Sequence, residues 1–398
     1  AAFQVGRVNR HHKIRPAALL IHGINRCIRP LAKLRAGLRR QVATGRKAND
    51  PKPVRINVPF SCVRADEADG EVVGEGYHAE FGRAHAEPQA LAAAGSRARG
   101  GTLVVTLEPC AHLGKLPPCV DAIIAAGIRR VVYAIADPNP AAAGGAARLR
   151  EAGLDVAAGT GAPDATALNA PFLRWAQDSS RPFVALKLAT SVDGRIADLE
   201  RNARWISGDA ARDYVHWLRA GFDAIGVGAG TARDDNPALT VRGSVEPRVP
   251  PVRVVFAPAL HLSADSVLAR TAREVPTFVV AAPAAIGGGA GEALAAAGVT
   301  LLPADRLEEA LGVLADRGVR SLLVEGGGRV AGALLRAELV DRLYWVQAPG
   351  WLGEQGVPAF VGLPSLPLDS AERWHPVERR ALGADTLLVL DRTCSPDS

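Results

Sequence analysis

Four residues in the stretch 85–119, HAEPQALAAAGSRARGGTLVVTLEPCAHLGKLPPC, have the types and order for metal-assisted hydrolysis: His85, Glu87, Cys110 and Cys119. Zinc takes imidazole and thiolate ligands, and a catalytic site uses three protein ligands and keeps a fourth position for water. One His and two Cys meet that count. Glu87, two residues past the His, is placed to move a proton: from the attacking water to a ring nitrogen and a leaving amine. Taken singly, these residues read as two buried cysteines, a helix-capping His and a surface Glu. Taken together, with each Cys preceded by Pro, they read as a metal site.

The elements that must position them follow from the intervening sequence. TLVVTLE (102–108) is β-branched and apolar, as a buried strand requires. A helix is expected from near His85 through the Ala/Leu-rich run to Gly95. A second is expected from near Pro117, with proline in its first turn, to Gly127. His85, Cys110 and Cys119 then fall at helix starts or strand ends on one edge of a sheet, and a helix start at Cys119 favours thiolate over thiol. The order H-x-E…P-C…C, with a Glu that does not ligate, is the signature of zinc deaminases. Residues 71–78, 131–136 and 154–160 read as further strands and 145–152 as a helix. Such alternation predicts an α/β/α sandwich.

At 398 residues, with 48% apolar and 22% charged residues, the chain is long enough for two globular domains with separate cores. No apolar run approaches the length of a membrane span. The five cysteines (27, 62, 110, 119 and 394) are odd in number, and only two are explained by metal; this fits a reducing cytoplasm rather than a disulfide framework. The absence of any Met points to a processed or edited chain. Residues 1–55 hold fourteen Lys/Arg against the single acid Asp50, so the net charge of +6 lies in this leader and the remainder carries −7. An Arg-rich, acid-poor start suits a transit segment or a nucleic-acid tail. Without interleaved aromatics it reads better as an extension than as a nucleic-acid surface.

The spacing between the two cysteines carries a family resemblance. Cys110 and Cys119 are separated by AHLGKLPP, and LEPCAHLGKLPPC is similar to the EPCSHxGRTPPC run of the bifunctional RibD family of riboflavin biosynthesis. GEGYH closing at His78, HAE, and DPNP at 137–140 resemble that family in order and spacing. So do PFVALKLATSVDGRIA (182–197), RWISG (204–208), TARDDNPALTVR (231–242), which reads as a loop loaded with charge, and SLLVEGGGRVAGALLRAELVDRL (321–343). Two segments depart from it. NDPKPVR (49–55) and NVPFSC (57–62) are imperfect matches to its Asn-Pro turn, with a first helix expected over 31–42, and Ala203 stands where a Ser is usual.

The resemblance implies a cytidine-deaminase-like α/β/α sandwich followed by a dihydrofolate-reductase-like α/β domain. The expected layout is a basic extension over 1–48, a deaminase domain over 49–178 and a reductase domain over 179–398. It implies zinc on His85, Cys110 and Cys119, with Glu87 catalytic, and substrate contacts from His112 and Lys115. It further implies NADPH held by Ala189, Trp205, Thr231 and Asp235, with Gly326, Gly327 and Gly328 under the pyrophosphate. Substrate would be held by Ala203, Arg219, Leu239, Arg242 and Glu325, with Lys187 and Asp193 as acid or positioning groups. The expected substrates are a phosphoribosylamino-pyrimidine and its deaminated product, and the expected assembly is a cytoplasmic homodimer with no nucleic-acid or membrane partner. Two other readings stand beside it: a paralogue with one active half, and a nucleic-acid-editing deaminase suggested by the leader.

Overall fold

The computed structural model describes residues 60–64, 72–78, 83–114, 116–200, 206–243, 247, 249–365, 367 and 374–392. The expected first helix at 31–42, both candidate Asn-Pro turns except the last three residues of 57–62, Lys115, Ala203 and Trp205 lie outside them. The chain divides into two compact units, one ending at Asn169 and the other beginning at Ala170.

The first unit holds β1 (Phe60–Arg64), β2 (Val72–Tyr77), α1 (Ala86–Ala94), β3 (Thr102–Leu107), α2 (Cys119–Ala125), β4 (Arg130–Ile135), α3 (Gly145–Glu151) and β5 (Asp155–Ala158). Its five strands lie in the order β2-β1-β3-β4-β5, antiparallel around β1 and parallel from β3 to β5. Leu103, Val105, Val131 and Tyr133 pack with Ala90, Ile123 and Leu149 of the helices into one core. Two glycines let α1 sit directly on β2. A Cβ at Gly76 would lie 2.2 Å from the Ala86 carbonyl oxygen, and one at Gly74 would lie 2.2 Å from that of Ala90. This close approach fixes the start of α1, where His85 and Glu87 stand.

Helix α4 (Ala162–Gln177) runs through the division between the units, and the expected domain boundary after 178 falls at its C-terminal end. The second unit continues with β6 (Phe183–Thr190), β7 (Arg195–Ala197), α5 (Asp209–Arg219), β8 (Ala224–Gly228), α6 (Ala229–Asp234), β9 (Val252–Phe256), α7 (Val267–Arg270) and β10 (Thr277–Ala281). After these come α8 (Pro283–Ile286), α9 (Gly289–Ala297), β11 (Thr300–Pro303), α10 (Leu307–Asp316), β12 (Ser321–Glu325) and α11 (Gly328–Arg336). The unit closes with β13 (Arg342–Gln347), β14 (Val357–Pro358), β15 (Trp374–Leu382) and β16 (Asp385–Arg392). Nine strands form one sheet in the order β11-β10-β9-β8-β12-β6-β13-β16-β15. The seven strands from β11 to β13 are parallel, and β16 and β15 close the edge antiparallel.

Burial on both faces explains why the central strands are continuous apolar runs. Val184, Leu186 and Leu188 of β6 face one core with Leu311, Leu314 and Leu334 of the helices. Phe183 and Ala185 face the other, with Leu218, Leu323, Tyr344 and Val389. Alternation along β6 therefore puts Lys187 and Ala189 on the second face. The segment 231–234, read from sequence as loop, is the last part of α6. The final hairpin β15–β16 follows no signal singled out in the sequence.

Candidate active sites

In the first unit His85 caps α1, Cys110 lies beyond the end of β3, and Cys119 opens α2 after Pro118. Their ligand atoms lie within 4.8 Å of one another. The His85 Nδ1 is 3.6 Å from Cys110 Sγ and 3.3 Å from Cys119 Sγ. Tetrahedral zinc with bonds of about 2.0–2.3 Å sets its ligands roughly 3.5–3.8 Å apart, so the donor set and its spacing fit zinc. The pair of thiols is electrostatically prepared. Cys110 is held below the usual thiol range, first by the Cys119 thiol donating to it, with His85 and the Cys119 backbone N–H assisting against burial. Cys119, its donor, is pushed up by that same hydrogen bond and by burial.

Glu87 is 8% exposed, and burial pushes its carboxyl up to about 7, against the backbone hydrogen bond and the neighbouring His85. A carboxyl poised there can hold and release a proton near neutrality. Residues that the sequence reading passed over hold the frame. Gln89 donates to the carbonyls of Tyr77, Ala84 and His85, at 2.6, 2.9 and 3.3 Å. The Glu108 carboxylate accepts from Ala146 N at 2.8 Å and Asp137 N at 3.4 Å, tying the Cys110 loop to α3 and to the DPNP turn. Arg148 pairs with Asp121 at 2.6 Å and donates to the Ala111 carbonyl at 3.4 Å. A polar residue at helical spacing from His85 (Gln89) and the Glu of LEPC were the available signals. The His78 ring packs edge-on to His85, centroids 5.1 Å apart. His112 is half-buried, and its Nδ1 has no hydrogen-bond partner among the described residues.

In the second unit three charged side chains meet below the C-terminal ends of the central strands. Glu325 pairs in register with Lys187 across β12–β6, and Lys187 with Tyr344 across β6–β13, so all three side chains share one face. Arg219, ending α5, grips Glu325 from that face through Nε to Oε1 at 2.5 Å and Nη2 to Oε2 at 2.8 Å. Its Nη1 donates to the Thr240 carbonyl at 2.9 Å. Burial alone would raise Glu325, but Arg219 and then Lys187 hold it below the usual carboxylate range. Burial pushes the Lys187 ammonium down, with Glu325 opposing and Arg219 adding to the shift. The cluster thus keeps a fixed carboxylate beside an ammonium that releases its proton more readily than a surface lysine.

The turn between β12 and α11 suits a dinucleotide phosphate. Gly326 and Gly327 have φ of +67° and +75°, the left-handed region that favours glycine. A Cβ at Gly327 would lie 2.8 Å from Thr231 Oγ1, so Thr231 stands directly against the turn and a side chain at 327 would collide with it. Gly328 begins α11, whose unpaired N–H groups face that turn. Gly328 and Gly332 also let α11 rest on the 358–361 segment, since their Cβ atoms would come within 2.4 and 2.0 Å of the Pro358 and Val361 carbonyl oxygens.

The remaining expected site residues are placed as follows. Ala189 lies at the end of β6 and Thr231 on α6 beside the glycine turn; Asp235 follows α6. Leu239 is buried with φ +49°, and the Arg242 backbone N donates to His216 Nδ1 at 3.1 Å. Asp193 is engaged elsewhere: its carboxylate accepts from Ser191 Oγ, Leu352 N and Gly353 N, which joins two loops. Among the described residues no helix is long and apolar enough to cross a membrane.

Two catalytic domains therefore share the chain, a zinc deaminase followed by a reductase. Residues 38–135 match the cytidine and deoxycytidylate deaminase zinc-binding region, and residues 182–388 match the RibD C-terminal domain. A riboflavin biosynthesis protein RibD of Aquifex aeolicus is 37% identical over 81% of this chain and 90% of its own length. The Escherichia coli RibD is 37% identical over 87% and 95%. Among solved structures, a deaminase/reductase from Thermotoga maritima superposes with a TM-score of 0.72 at 31% identity, covering 84% of this chain and 92% of that one. That protein is a diaminohydroxyphosphoribosylaminopyrimidine deaminase and 5-amino-6-(5-phosphoribosylamino)uracil reductase. An Acinetobacter baumannii RibD superposes at 0.70 with 32% identity over the same shares. The chain belongs to the RibD family, bifunctional deaminase–reductases of riboflavin biosynthesis. The cofactors that go with these two domains are zinc on the His–Cys–Cys cluster and NADPH in the reductase.

Proposed function

We propose that the first domain, residues 49–178, hydrolytically deaminates 2,5-diamino-6-(5-phosphoribosylamino)pyrimidin-4-one. On the same reading, the second, residues 179–398, reduces the ribosyl chain of the deaminated product to ribityl. The observation that carries this reading is the pairing, in one chain, of a zinc-spaced His–Cys–Cys cluster with a buried Lys187–Glu325–Arg219 cluster beside a glycine turn.

In the deaminase, His85 Nδ1, Cys110 Sγ and Cys119 Sγ hold zinc, which when bound supplies Lewis-acid activation of a water. Glu87 takes a proton from the attacking water and gives it to the pyrimidine ring nitrogen. It then takes the second proton from the hydroxyl added at the ring carbon and gives it to the amine, which leaves as ammonia. His112 and, by the family resemblance, Lys115 bind the phosphoribosyl group. In the reductase, Ala189, Trp205, Thr231 and Asp235 line the NADPH site, and Gly326, Gly327 and Gly328 hold its pyrophosphate. NADPH supplies the hydride for C1′ of the opened sugar. Glu325, fixed by Arg219, accepts a sugar hydroxyl, Lys187 donates the proton at the sugar oxygen, and Arg242 binds the phosphate. Leu239 and, by the family resemblance, Ala203 are substrate contacts. The assembly is a homodimer working in the cytoplasm.

The test is a coupled assay of zinc-loaded protein with the diaminopyrimidine phosphate and NADPH, beside Glu87→Ala. The expected result is ammonia release with NADPH consumption in the wild type, and reduction of supplied deaminated substrate only in the variant. A wild type that also reduces only the deaminated compound would make the first domain a relic. Sedimentation of the full chain reads the assembly, and a monomer at assay concentration rejects the dimer.

A further inference from the structure

Arg253 is out of character with its strand. It sits in VRVVF of β9 with 1% exposure, the largest of the fully buried side chains, and makes no ion pair among the described residues. An unpaired guanidinium is expensive to bury, and a well-packed apolar side chain of similar volume commonly replaces buried charge without loss of stability. Its hydrogen bonds show what it holds instead. Nη2 donates to the carbonyls of Val275 at 2.8 Å, Thr271 at 3.0 Å and Leu268 at 3.2 Å. Nη1 donates to Thr271 Oγ1 at 2.7 Å and to the Ala238 carbonyl at 3.3 Å.

Ala238 is the contact that reaches the reductase site. The segment 236–242 is anchored at alternate residues by groups from three other elements. Asn236 Oδ1 accepts from Val267 N of α7 at 2.8 Å; the Ala238 carbonyl accepts from Arg253. The Thr240 carbonyl accepts from Arg219, and the Arg242 N–H donates to His216 of α5. Within this segment Asn236 and Leu239 have φ of +41° and +49°; Asn adopts this left-handed region readily, whereas Leu holds it only under constraint. Arg253 and the Asn236–Val267 contact together join 236–239 to the residues around α7, whose Leu268, Ala269 and Ala272 share one buried cluster with Leu239.

We propose that Arg253 is a positioning residue of the reductase. Through the Ala238 carbonyl it holds the 236–242 segment in the conformation that presents the Leu239 main chain and the Arg242 side chain to the phosphoribosyl substrate. This rests on the assignment of Leu239 and Arg242 to substrate binding made above.

The experiment uses the full-length, zinc-loaded protein and measures reduction of the deaminated substrate by NADPH in Arg253→Met, Arg253→Lys and Arg242→Ala. Ammonia release in the same preparations and the melting temperature report folding. For Arg253→Met, KM for the pyrimidine phosphate should rise about tenfold or more, as expected for a lost charge-assisted hydrogen bond that sets substrate geometry. Its kcat and KM for NADPH should stay within roughly threefold on the same criterion. Arg253→Lys, which keeps the charge but cannot span both Ala238 and Val275, should fall between. If the Met variant does not fold, the substrate KM of the Lys variant decides: raised supports the role, unchanged overturns it. A lowered melting temperature with an unchanged substrate KM would make Arg253 a structural tie alone and overturn the proposal. Arg242→Ala separates the two levels. If it raises the substrate KM while Arg253→Met does not, only this inference fails. If it leaves KM unchanged, the substrate assignment of the segment fails and the inference with it.

Discussion

Arg219 and Glu325 meet in a two-pronged ion pair that joins the end of α5 to the end of β12, each side chain 12% exposed. The pair makes Glu325 a carboxylate of fixed orientation, and it uses Arg219 on Glu325 and the Thr240 carbonyl before any substrate arrives. On the proposed reading this leaves Arg242, whose guanidinium takes no part in that pair, as the arginine assigned to the phosphate.

Lysine cannot reproduce a two-pronged contact. Arg219→Lys should lower reductase kcat/KM by roughly 10²-fold, the scale of a misplaced positioning group. Arg219→Ala, which leaves a buried carboxylate unpaired, should also destabilise the second unit by about 3–5 kcal/mol. Denaturant unfolding and NADPH consumption check both. Ammonia release should be unaffected, and parallel loss of both activities would mean that the pair serves general folding instead.

Glu87 and zinc are expected to act on one activity only. Glu87→Gln should reduce ammonia release by about 10²–10⁴-fold, the usual contribution of a general acid–base group, while zinc content stays at the wild-type level. Removing zinc with a chelator should abolish ammonia release and leave reduction of supplied deaminated substrate intact. Metal analysis beside the two separate assays distinguishes a lost proton carrier from a lost ligand.

The deaminase centre was legible because its chemistry is local. His85, Glu87, Cys110 and Cys119 lie within 35 residues of sequence, and the Ala/Leu run and TLVVTLE state the elements between them in their own periodicity. The reductase cluster was less so. Lys187, Arg219 and Glu325 span 139 residues and meet only because β6 and β12 pair in register, information that no local pattern contains. Resemblance named these residues, but it could not show that Arg219 is committed to Glu325. Arg253 and His216 were missed for a related reason. Arg253 stands out as a charge inside VRVVF, but its role and that of His216 consist of hydrogen bonds to backbone atoms of distant segments, and no spacing states which segments those are. α6 was read as loop because TARDD is rich in charge, whereas its first half, AGT, extends directly from β8.

The contact between β2 and α1 makes a stability prediction that also reports on the metal. A methyl group at Gly76 cannot be placed without moving the Ala86 carbonyl, which belongs to the first turn of the helix that His85 caps. Gly76→Ala should cost about 1–3 kcal/mol, the usual penalty for overpacking a tight contact. Because the shift displaces His85, zinc affinity should fall as well. Thermal unfolding with and without zinc, together with competition against a chromophoric chelator, tests the coupling. A variant that is less stable but binds zinc as tightly would show that the cap moves independently of the helix.

His216 gives the second unit a defined pH response. Burial pushes its imidazole below the usual 6.5, with Arg219 and Arg242 adding to the shift and Glu325 and Asp213 opposing it. The neutral ring is also the form that can accept the Arg242 N–H at Nδ1. Between 6.5 and the lower folded-state value, the unfolded chain binds this proton and the folded chain does not. The contribution of His216 to stability is therefore complete above 6.5 and is lost as pH falls through that window. Asn at this position offers an acceptor oxygen but no titrating group. His216→Asn should therefore match the wild type at about pH 8 and lose less melting temperature than the wild type on acidification to about pH 5. The substrate KM of the reductase should follow the same divergence, because protonation removes the anchor at Arg242. Parallel melting and KM profiles for the two proteins would show that His216 keeps its proton equilibrium on folding and does not hold the segment.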